Sequence, residues 1–376
     1  MQKKLIALAV AGLMAAPAFA QSNVTIYGRI DYGFMNRSGD DGGAGFTRDN
    51  TGAFVSKGAK RQGKSEMESG IQGGSRLGFK GAEDLGNGLK AIFELEFGSI
   101  SMDTNGGLGT NRHAWIGLTG DFGTVIGGRL DGVRYGIYNT YDPFGGGNVG
   151  NFTQMTAQVD RANNAIAYVS PTFGGFTGVV AYSTATNTDE AAGNRPTAID
   201  GDWRLNTLNL KYANGPIKAD IDWEKVYQQS TDLEAVVMTL GASYDFGVVK
   251  LSALYDILKG QDQAGDDIDD IRTWLIGAKA PIGSNIVLKA VYGKTKQKED
   301  GGSGTIFSQC VPGQKCDAKK WGIGMDYLLS KRTNFYASYG SISNDSDAGY
   351  ELSPAANSQG AGYGTRGFDL GIAHKF

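Results

Sequence analysis

The connections between the strand-like segments of this chain alternate between two lengths, which limits the folds open to it. Seven are tight turns of a few residues, at 83–88, 120–123, 171–175, 213–215, 245–247, 281–284 and 329–332. Eight are longer loops, at 36–73, 98–110, 130–161, 184–202, 227–233, 260–270, 296–317 and 343–365. The loop at 227–233 is the weakest of the eight. Fifteen alternating connections predict sixteen strands.

The segments between these connections alternate apolar and polar residues, as strands with one apolar face do. In 23–35, Ile26 and Ile30 share one face, whereas Arg29 and Asp31 share the other. The same alternation is clear in 217–224, 236–244 and 320–327. Glycine is abundant at 58 residues, proline is scarce at 8, and long amphipathic helical runs are missing. The pattern predicts an all-β protein.

The asymmetry of the connections favours a transmembrane barrel over a soluble sandwich. Short turns on one side and long loops on the other are typical of outer-membrane barrels. An even number of strands lets the first and last strands pair, which closes the sheet and removes its edges. The last segment carries Phe368, Leu370, Ile372 and Phe376 on one face. Its terminal aromatic resembles the assembly signal of bacterial outer-membrane barrels.

The first twenty residues have the features of a cleaved secretory signal peptide. Lys3 and Lys4 precede a short apolar run that ends in a small-residue cleavage site at 18–20. The alternative is an N-terminal hydrophobic helix of the mature protein. Removing residues 1–20 leaves a mature chain, 21–376, with 34 basic and 39 acidic residues and a net charge of −5. This charge argues against nucleic acid as a partner.

The segment 130–161 is too long for a hairpin turn. It contains several glycines and aromatics, and we expect it to be too irregular for a helix. Long connections without secondary structure are uncommon in compact proteins and are usually functional. We expect this segment to pack as a compact flap inside the hole that the strands enclose.

Several ordered motifs together resemble the Gram-negative general porins of the beta-proteobacterial branch. They are VTIYGRID at 24–31, SRLGFKGAEDLGNGLKAIFELE at 75–96, NRHAWIGLTGDFGTVIGGR at 111–129, DPFGGG at 142–147, RANNAIAYVSPTFGGF at 161–176 and HKF at 374–376. The resemblance implies a sixteen-stranded homotrimeric barrel in the outer membrane, surrounded by lipid and lipopolysaccharide. Its third long loop, 130–161, would narrow a channel for ions and small hydrophilic solutes. No cofactor is implied.

Basic residues mark the wall that we expect to face the channel. Strand alternation places Arg29, Arg76 and Lys80 opposite the apolar face, and Arg112 and Arg161 begin two further strands. In the family that the chain resembles, basic residues at matching positions form a ladder that faces acidic groups on the loop. The alternative for each residue is a solvated wall position far from the narrowest point.

The charges near the loop predict a weak anion preference. The loop segment carries Asp131, Arg134, Asp142 and Asp160 besides Arg161. With the wall residues, six basic groups stand against three acids. Asp31 reduces this excess, and the vestibule acids Asp220, Asp222 and Glu224 oppose it. A substrate-selective porin or a surface receptor barrel is the alternative function.

The two cysteines, Cys310 and Cys316, lie six residues apart in one long loop. In an exported protein, such a pair predicts a disulfide, with two free thiols as the alternative. A metal site is not expected at these cysteines, because too few other ligands lie nearby.

An aspartate-rich stretch in the loop at 260–270 allows two interpretations. Its members are Asp262, Asp266, Asp267, Asp269 and Asp270. They could bind calcium or bridge lipopolysaccharide through divalent ions, but their spacing matches no EF-hand. A solvated acidic loop is the simpler interpretation.

The histidines argue against an enzyme barrel such as a protease or lipase. The mature chain holds only His113 and His374, and neither has an evident nucleophile or orienting carboxylate beside it. We expect His113 to lie on the outer face, near Trp115.

Overall fold

A computed structural model gives the structure of the protein. It describes residues 23–39, 46–48, 54–56, 64–103, 108–109, 111–156, 159–186, 203–228, 232–261, 263–297, 317–345, 348, 350–352 and 364–376. The predicted signal peptide and the cysteine pair lie outside these residues. Within the described part of the chain, no helix has the length and apolarity needed to cross a membrane.

Most of the described residues form one antiparallel sheet. Its strands are β1 (Asn23–Ser38), β4 (Lys64–Ser69), β5 (Arg76–Gly86), β6 (Leu89–Phe97), β7 (Asn111–Gly120), β8 (Gly123–Asp131), β9 (Arg161–Val169), β10 (Phe176–Ser183), β11 (Trp203–Asn214), β12 (Ile217–Gln228), β13 (Leu233–Asp245), β14 (Lys250–Gln261), β15 (Asp267–Ile282), β16 (Ile286–Gln297), β17 (Ala318–Leu328), β18 (Thr333–Asn344) and β19 (Arg366–Lys375). A separate two-stranded sheet pairs β2 (Phe46–Arg48) with β3 (Phe54–Ser56).

The sheet closes into a barrel. β1 pairs along one edge with β19, with Arg29 opposite Lys375. Along its other edge β1 pairs first with β5 and then with β4, so β5 and β4 are successive parts of one wall strand. The seventeen strands of the sheet therefore occupy sixteen positions around the barrel, and the predicted sixteen-stranded architecture is confirmed.

All seven predicted short turns separate neighbouring strands. The turn between β5 and β6 holds Asn87 and Gly88, both at positive φ, which is the conformation that an Asn-Gly hairpin turn adopts.

Two of the predicted long loops need correction. The loop at 36–73 contains the β2–β3 pair and strand β4, because the wall strand opposite β1 begins at Lys64.

The second correction concerns the loop at 260–270. β15 begins at Asp267, so Asp267, Asp269 and Asp270 lie on a wall strand and not in a loop. Asp262 lies outside the described residues. Asp269 is buried on the inner side of the wall, where it accepts a hydrogen bond from Gln297. Asp270 forms an ion pair with Arg272 at 3.2 Å. These strand positions remove the main support for a calcium-binding loop.

The two faces of the wall differ as the alternation predicts. Large apolar side chains such as Ile26, Ile221 and Ile276 are exposed on the outer face. The inner face carries the polar and charged residues at the intervening positions, including Arg29 and Asp222. An apolar outside and a polar inside is the pattern of a barrel that spans a membrane and encloses water.

Candidate functional site

The segment that connects β8 to β9, residues 132–160, is here called the inner loop. It begins with helix α1 (Val133–Tyr141) and includes a short 3-10 helix, Thr153–Met155. The expectation that this segment is too irregular for a helix was therefore wrong. Helix α1 ends where the backbone N–H of Asp142 donates to the carbonyl of Tyr138, and Pro143 follows.

The inner loop crosses the barrel and packs against the far wall. An added Cβ on Gly322 would lie 2.2 Å from the carbonyl oxygen of Gly150. One on Gly340 would lie 2.3 Å from the carbonyl oxygen of Val149. Further wall glycines face side chains of the inner loop: Gly241, Gly277, Gly293 and Gly324. Only glycine leaves space for backbone to approach this closely.

Apolar side chains of the inner loop form the main buried core of the described residues. They are Ile137, Tyr138, Tyr141, Phe144, Val149, Phe152 and Met155, and all are at most 5% exposed. They pack against wall residues that include Leu254, Leu275 and Val291. The core of this protein thus lies inside the barrel, between the inner loop and one side of the wall, which confirms that the loop folds inward.

A row of polar side chains meets the inner loop on the far wall. Strand register aligns its members across β11 to β16: Asn209, Asp222, Thr239, Asp256, Thr273 and Thr295. The guanidinium of Arg134 lies 2.5 Å from Asp256 and donates to Thr239 at 3.1 Å. Thr295 donates to the backbone carbonyl of Met155 at 2.6 Å. The row therefore anchors both ends of the described loop.

Arg134 is charged in this buried setting. Burial lowers the pKa of its guanidinium, but the fields of Asp256 and Glu224 outweigh burial and raise the pKa above its usual value. Asp222, in contrast, has no hydrogen-bond donor at either carboxylate oxygen among the described residues. Arg134 was expected among the loop charges near the channel, but it is buried at the far wall.

Asp142 is also placed away from the ladder. Its carboxylate accepts hydrogen bonds from the backbone N–H groups of Phe144 at 2.9 Å and Phe152 at 2.7 Å. Burial raises the pKa of this carboxyl, with the nearby Lys320 opposing the shift. Asp142 therefore ties two parts of the inner loop together and was wrongly counted as a channel charge.

The predicted basic wall residues do come together on the near side of the lumen. Arg76 interacts electrostatically with both Arg29 and Arg112. Arg112 and Arg161 both reach the hydroxyl of Tyr135 on helix α1. The Arg161 guanidinium also lies 4.4 Å from the centroid of the Tyr135 ring. This group is called the arginine cluster: Arg29, Arg76, Arg112 and Arg161.

Lys80 and Asp160 lie at the margins of this cluster. Lys80 is exposed, with its ammonium 5.1 Å from the centroid of the Tyr27 ring. The backbone carbonyl of Asp160 accepts hydrogen bonds from Gly132 at 3.0 Å and from Arg161 at 2.6 Å.

The carboxylates that meet the arginine cluster lie on the wall. Glu96 is 2.5 Å from Arg112 and 3.9 Å from Arg76. Asp31 pairs with Arg29 at 3.1 Å, and Asp131, the last residue of β8, pairs with Arg161 at 2.8 Å. Of the acids expected in segment 130–161, Asp131 meets the cluster from the end of β8, and Asp31 and Glu96 meet it from other strands of the wall. Strand alternation could have found Glu96, because it lies between Leu95 and Phe97.

His113 faces the lumen, which corrects its expected position on the outer face. Its Nδ1 lies 2.8 Å from Glu94, and its Nε2 lies 2.9 Å from Asp131. His113 pairs with Glu96 and Trp115 pairs with Glu94, so both share the lumenal face of these acids, whereas the exposed Ile116 marks the outer face of β7. The expectation was wrong because Trp115 does not lie on the outer face. A β-bulge follows in the register, since Phe97 pairs with Asn111, and the extra residue lets Arg112 turn inward beside His113.

A closed antiparallel barrel with an apolar outside, a charged lumen and an inward-folded loop defines a class, the outer-membrane β-barrel channels. The chain belongs to the Gram-negative porin family, whose family model matches residues 7–347. It is therefore an outer-membrane porin channel and not an enzyme.

Individual relatives agree with this assignment. The chain is 32% identical to outer membrane porin protein 32 of Delftia acidovorans, over the full length of both chains. It is 29% identical to an outer membrane porin protein of Bordetella pertussis, also over the full length of both. Among solved structures, an anion-selective porin from Comamonas acidovorans superposes with a TM-score of 0.74 at 27% identity. That match covers 95% of this chain and 100% of the other.

Proposed function

We propose that this porin passes ions and small hydrophilic solutes by passive diffusion with a weak preference for anions, and that residues 130–161 narrow its channel. The arginine cluster beside the inner loop is the observation that carries this proposal. Fixed charges act over a Debye length of ~8 Å at physiological salt. The charges at the narrowest point therefore decide selectivity, and the net charge of the whole chain does not.

Acids of the far wall are covered by the inner loop. Asp222, Glu224 and Asp256 are 0%, 1% and 3% exposed, respectively. In the arginine cluster, the side chains of Arg76 and Arg112 keep 26% and 20% of their surface exposed. Water in the lumen therefore contacts a larger share of these arginine side chains than of the far-wall acids. The vestibule acids oppose anion entry less than the sequence count suggested.

The basic excess in the lumen is nevertheless small. Because Arg134 and Asp142 are buried, the basic groups left on this side of the lumen are Lys80 and the four members of the arginine cluster. The acids on the same stretch of wall are Asp31, Glu94, Glu96 and Asp131. Five basic groups against four acids support a weak preference and no tight anion site. The Comamonas acidovorans porin, a 27% identical relative, is described as anion-selective.

A reversal-potential measurement tests this proposal. Wild type and Arg76→Ala are compared in planar bilayers under a KCl gradient. We expect wild type to favour chloride weakly and Arg76→Ala to move the reversal potential toward potassium. Arg272→Ala is the matched control, because Arg272 lies on the outer face beside Asp270. Preference for potassium in wild type, or an unmoved potential in Arg76→Ala, would contradict the charge assignment.

We also propose that the protein is a homotrimer surrounded by outer-membrane lipid and lipopolysaccharide. Its apolar outer face fits both lipid and a neighbouring subunit, since the two select similar side chains. A solved outer-membrane protein of the same fold, OmpT of Vibrio cholerae, is described in a trimer form. Mass measurement in mild detergent tests the proposal, and a protein found only as a monomer would contradict it.

A further inference from the structure

Two carboxylates and an imidazole converge on the lumenal wall below the inner loop. Glu94, Glu96 and His113 each offer one ligand atom, and these atoms lie within 4.8 Å of one another. Pairing of β6 with β7 creates the group, because it sets Glu96 directly opposite His113. The side chains of Glu94 and His113 are 19% and 16% exposed. The group is therefore reachable from the channel but partly withdrawn from water.

A third carboxylate, that of Asp131, orients the imidazole. Asp131 lies 2.9 Å from Nε2 of His113, while Nδ1 points toward Glu94 at 2.8 Å. Histidines that bind metals almost always donate their other ring N–H to a carboxylate or carbonyl in this way. The hydroxyl of Tyr27 donates to Glu94 and also lies 3.0 Å from Oε2 of Glu96, so a third oxygen lies between the two carboxylates.

We propose that Glu94, Glu96 and His113 form a binding site for a divalent transition-metal ion on the channel wall, with Asp131 as the positioning residue. One imidazole and two carboxylates suit Zn²⁺ and its neighbours, whereas calcium and magnesium favour oxygen ligands alone. The site adds a second property to the channel. The observations that support the site do not depend on the proposed anion preference.

Metal binding at a protonated His113 releases one proton. Binding needs the lone pair on Nδ1 of His113, so any proton at Nδ1 leaves to the bulk solvent. The proton at Nε2 stays in the hydrogen bond to Asp131. Metal affinity therefore rises with pH over the range in which the imidazole loses this proton.

The arginines reduce the affinity but leave ligand atoms available. Arg112 contacts Oε1 of Glu96, whereas Oε2 of Glu96 faces Tyr27 at 3.0 Å. A metal ion can therefore use Oε2 while Arg112 keeps its contact. The bound ion and its remaining water ligands should occupy part of the lumen and lower the conductance. Its positive charge beside the arginine cluster should strengthen the preference for anions.

Zinc titration of the purified full-length porin tests the site. Zinc binding is measured with a competing indicator dye in detergent, and single-channel conductance is measured in bilayers with ZnCl₂. We expect one site per chain, a lower conductance that a chelator restores, and no such effect of CaCl₂ at equal concentration. We expect Asp131→Asn to weaken zinc binding roughly tenfold or more, as loss of an outer carboxylate does at other metal sites.

His113→Gln is the decisive variant, and His374→Gln is its matched control. His374 is the only other histidine of the chain, and it bonds Thr333 at the end of the barrel. We expect His113→Gln to abolish the zinc effect on conductance and His374→Gln to leave it unchanged. Channel formation by both variants shows that they fold. Equal zinc responses of wild type and His113→Gln, or no response of wild type, would overturn the proposal.

Discussion

The guanidinium of Arg134 on the inner loop lies 2.5 Å from the carboxylate of Asp256 on β14, 122 residues further along the chain. Both side chains are almost fully buried, at 2% and 3% exposure. Such a pair is costly to break from one side, because the remaining charge stays buried without its partner. The pair therefore fixes how helix α1 lies against the far wall and, with it, the shape of the lumen.

Replacement of Arg134 should release helix α1. We expect Arg134→Ala to weaken the docking of the inner loop by ~3–5 kcal/mol, because Asp256 is left buried without its counter-charge. Amide hydrogen exchange of residues 133–141, followed by mass spectrometry, measures this as faster exchange. We expect the double variant with Asp256→Asn to lose less than the sum of the single losses, since the two residues share one interaction.

The control for this pair is the exposed ion pair of Lys225 with Glu234. Its two side chains are 36% and 31% exposed. We expect Lys225→Ala to leave the hydrogen exchange of helix α1 unchanged, because exposed ion pairs contribute about 0–1 kcal/mol. Fast exchange in Lys225→Ala, or unchanged exchange in Arg134→Ala, would contradict the anchoring role.

Addition of one methyl group at Gly322 should displace the inner loop. The new Cβ would meet the backbone oxygen of Gly150 at 2.2 Å, and backbone cannot rotate away as a side chain can. Overpacking of this kind costs about 1–3 kcal/mol. We expect Gly322→Ala to change single-channel conductance and to raise open-channel noise. Gly127→Ala is the control, since its nearest neighbour lies 3.7 Å away, and an equal effect of both variants would argue against close packing.

The anion preference should fall at alkaline pH through Tyr135. Burial raises the pKa of Tyr135, but Arg161 and Arg112 outweigh burial and lower the pKa below its usual value of 10.0. As pH rises toward that value, the phenolate adds a negative charge to the arginine cluster. The reversal potential of wild type should then shift toward potassium at a lower pH than that of Tyr135→Phe. Parallel pH curves for the two proteins would show that Tyr135 does not titrate in the lumen.

Cys310 and Cys316 lie outside the described residues, so their disulfide remains a prediction from the sequence. The closed loop would be small, and stabilisation should be at most ~2–3 kcal/mol. We expect both thiols to resist alkylation until the protein is reduced. Alkylation without prior reduction would refute the disulfide.

The amino-acid sequence by itself determined the barrel. Side chains of a strand alternate between its two faces. The apolar Ile26 and the charged Arg29 therefore predict which face is outer and which is inner without any tertiary information. The number of strands also follows from the sequence, because each short turn and each long loop joins two antiparallel neighbours. The membership of Arg29, Arg76, Arg112 and Arg161 in one cluster also followed from strand position and family resemblance.

Only the tertiary structure decided which wall residues meet the inner loop. The contacts of Arg134 with Asp256 and of Gly150 with Gly322 join distant parts of the chain, and no local pattern encodes such pairs. The bulge that turns Arg112 inward beside His113 is likewise invisible to a period of two, because one extra residue reverses the faces. The sequence could count the charges near the channel, but only folding buried Arg134 and Asp142 and left Arg76 in partial contact with water.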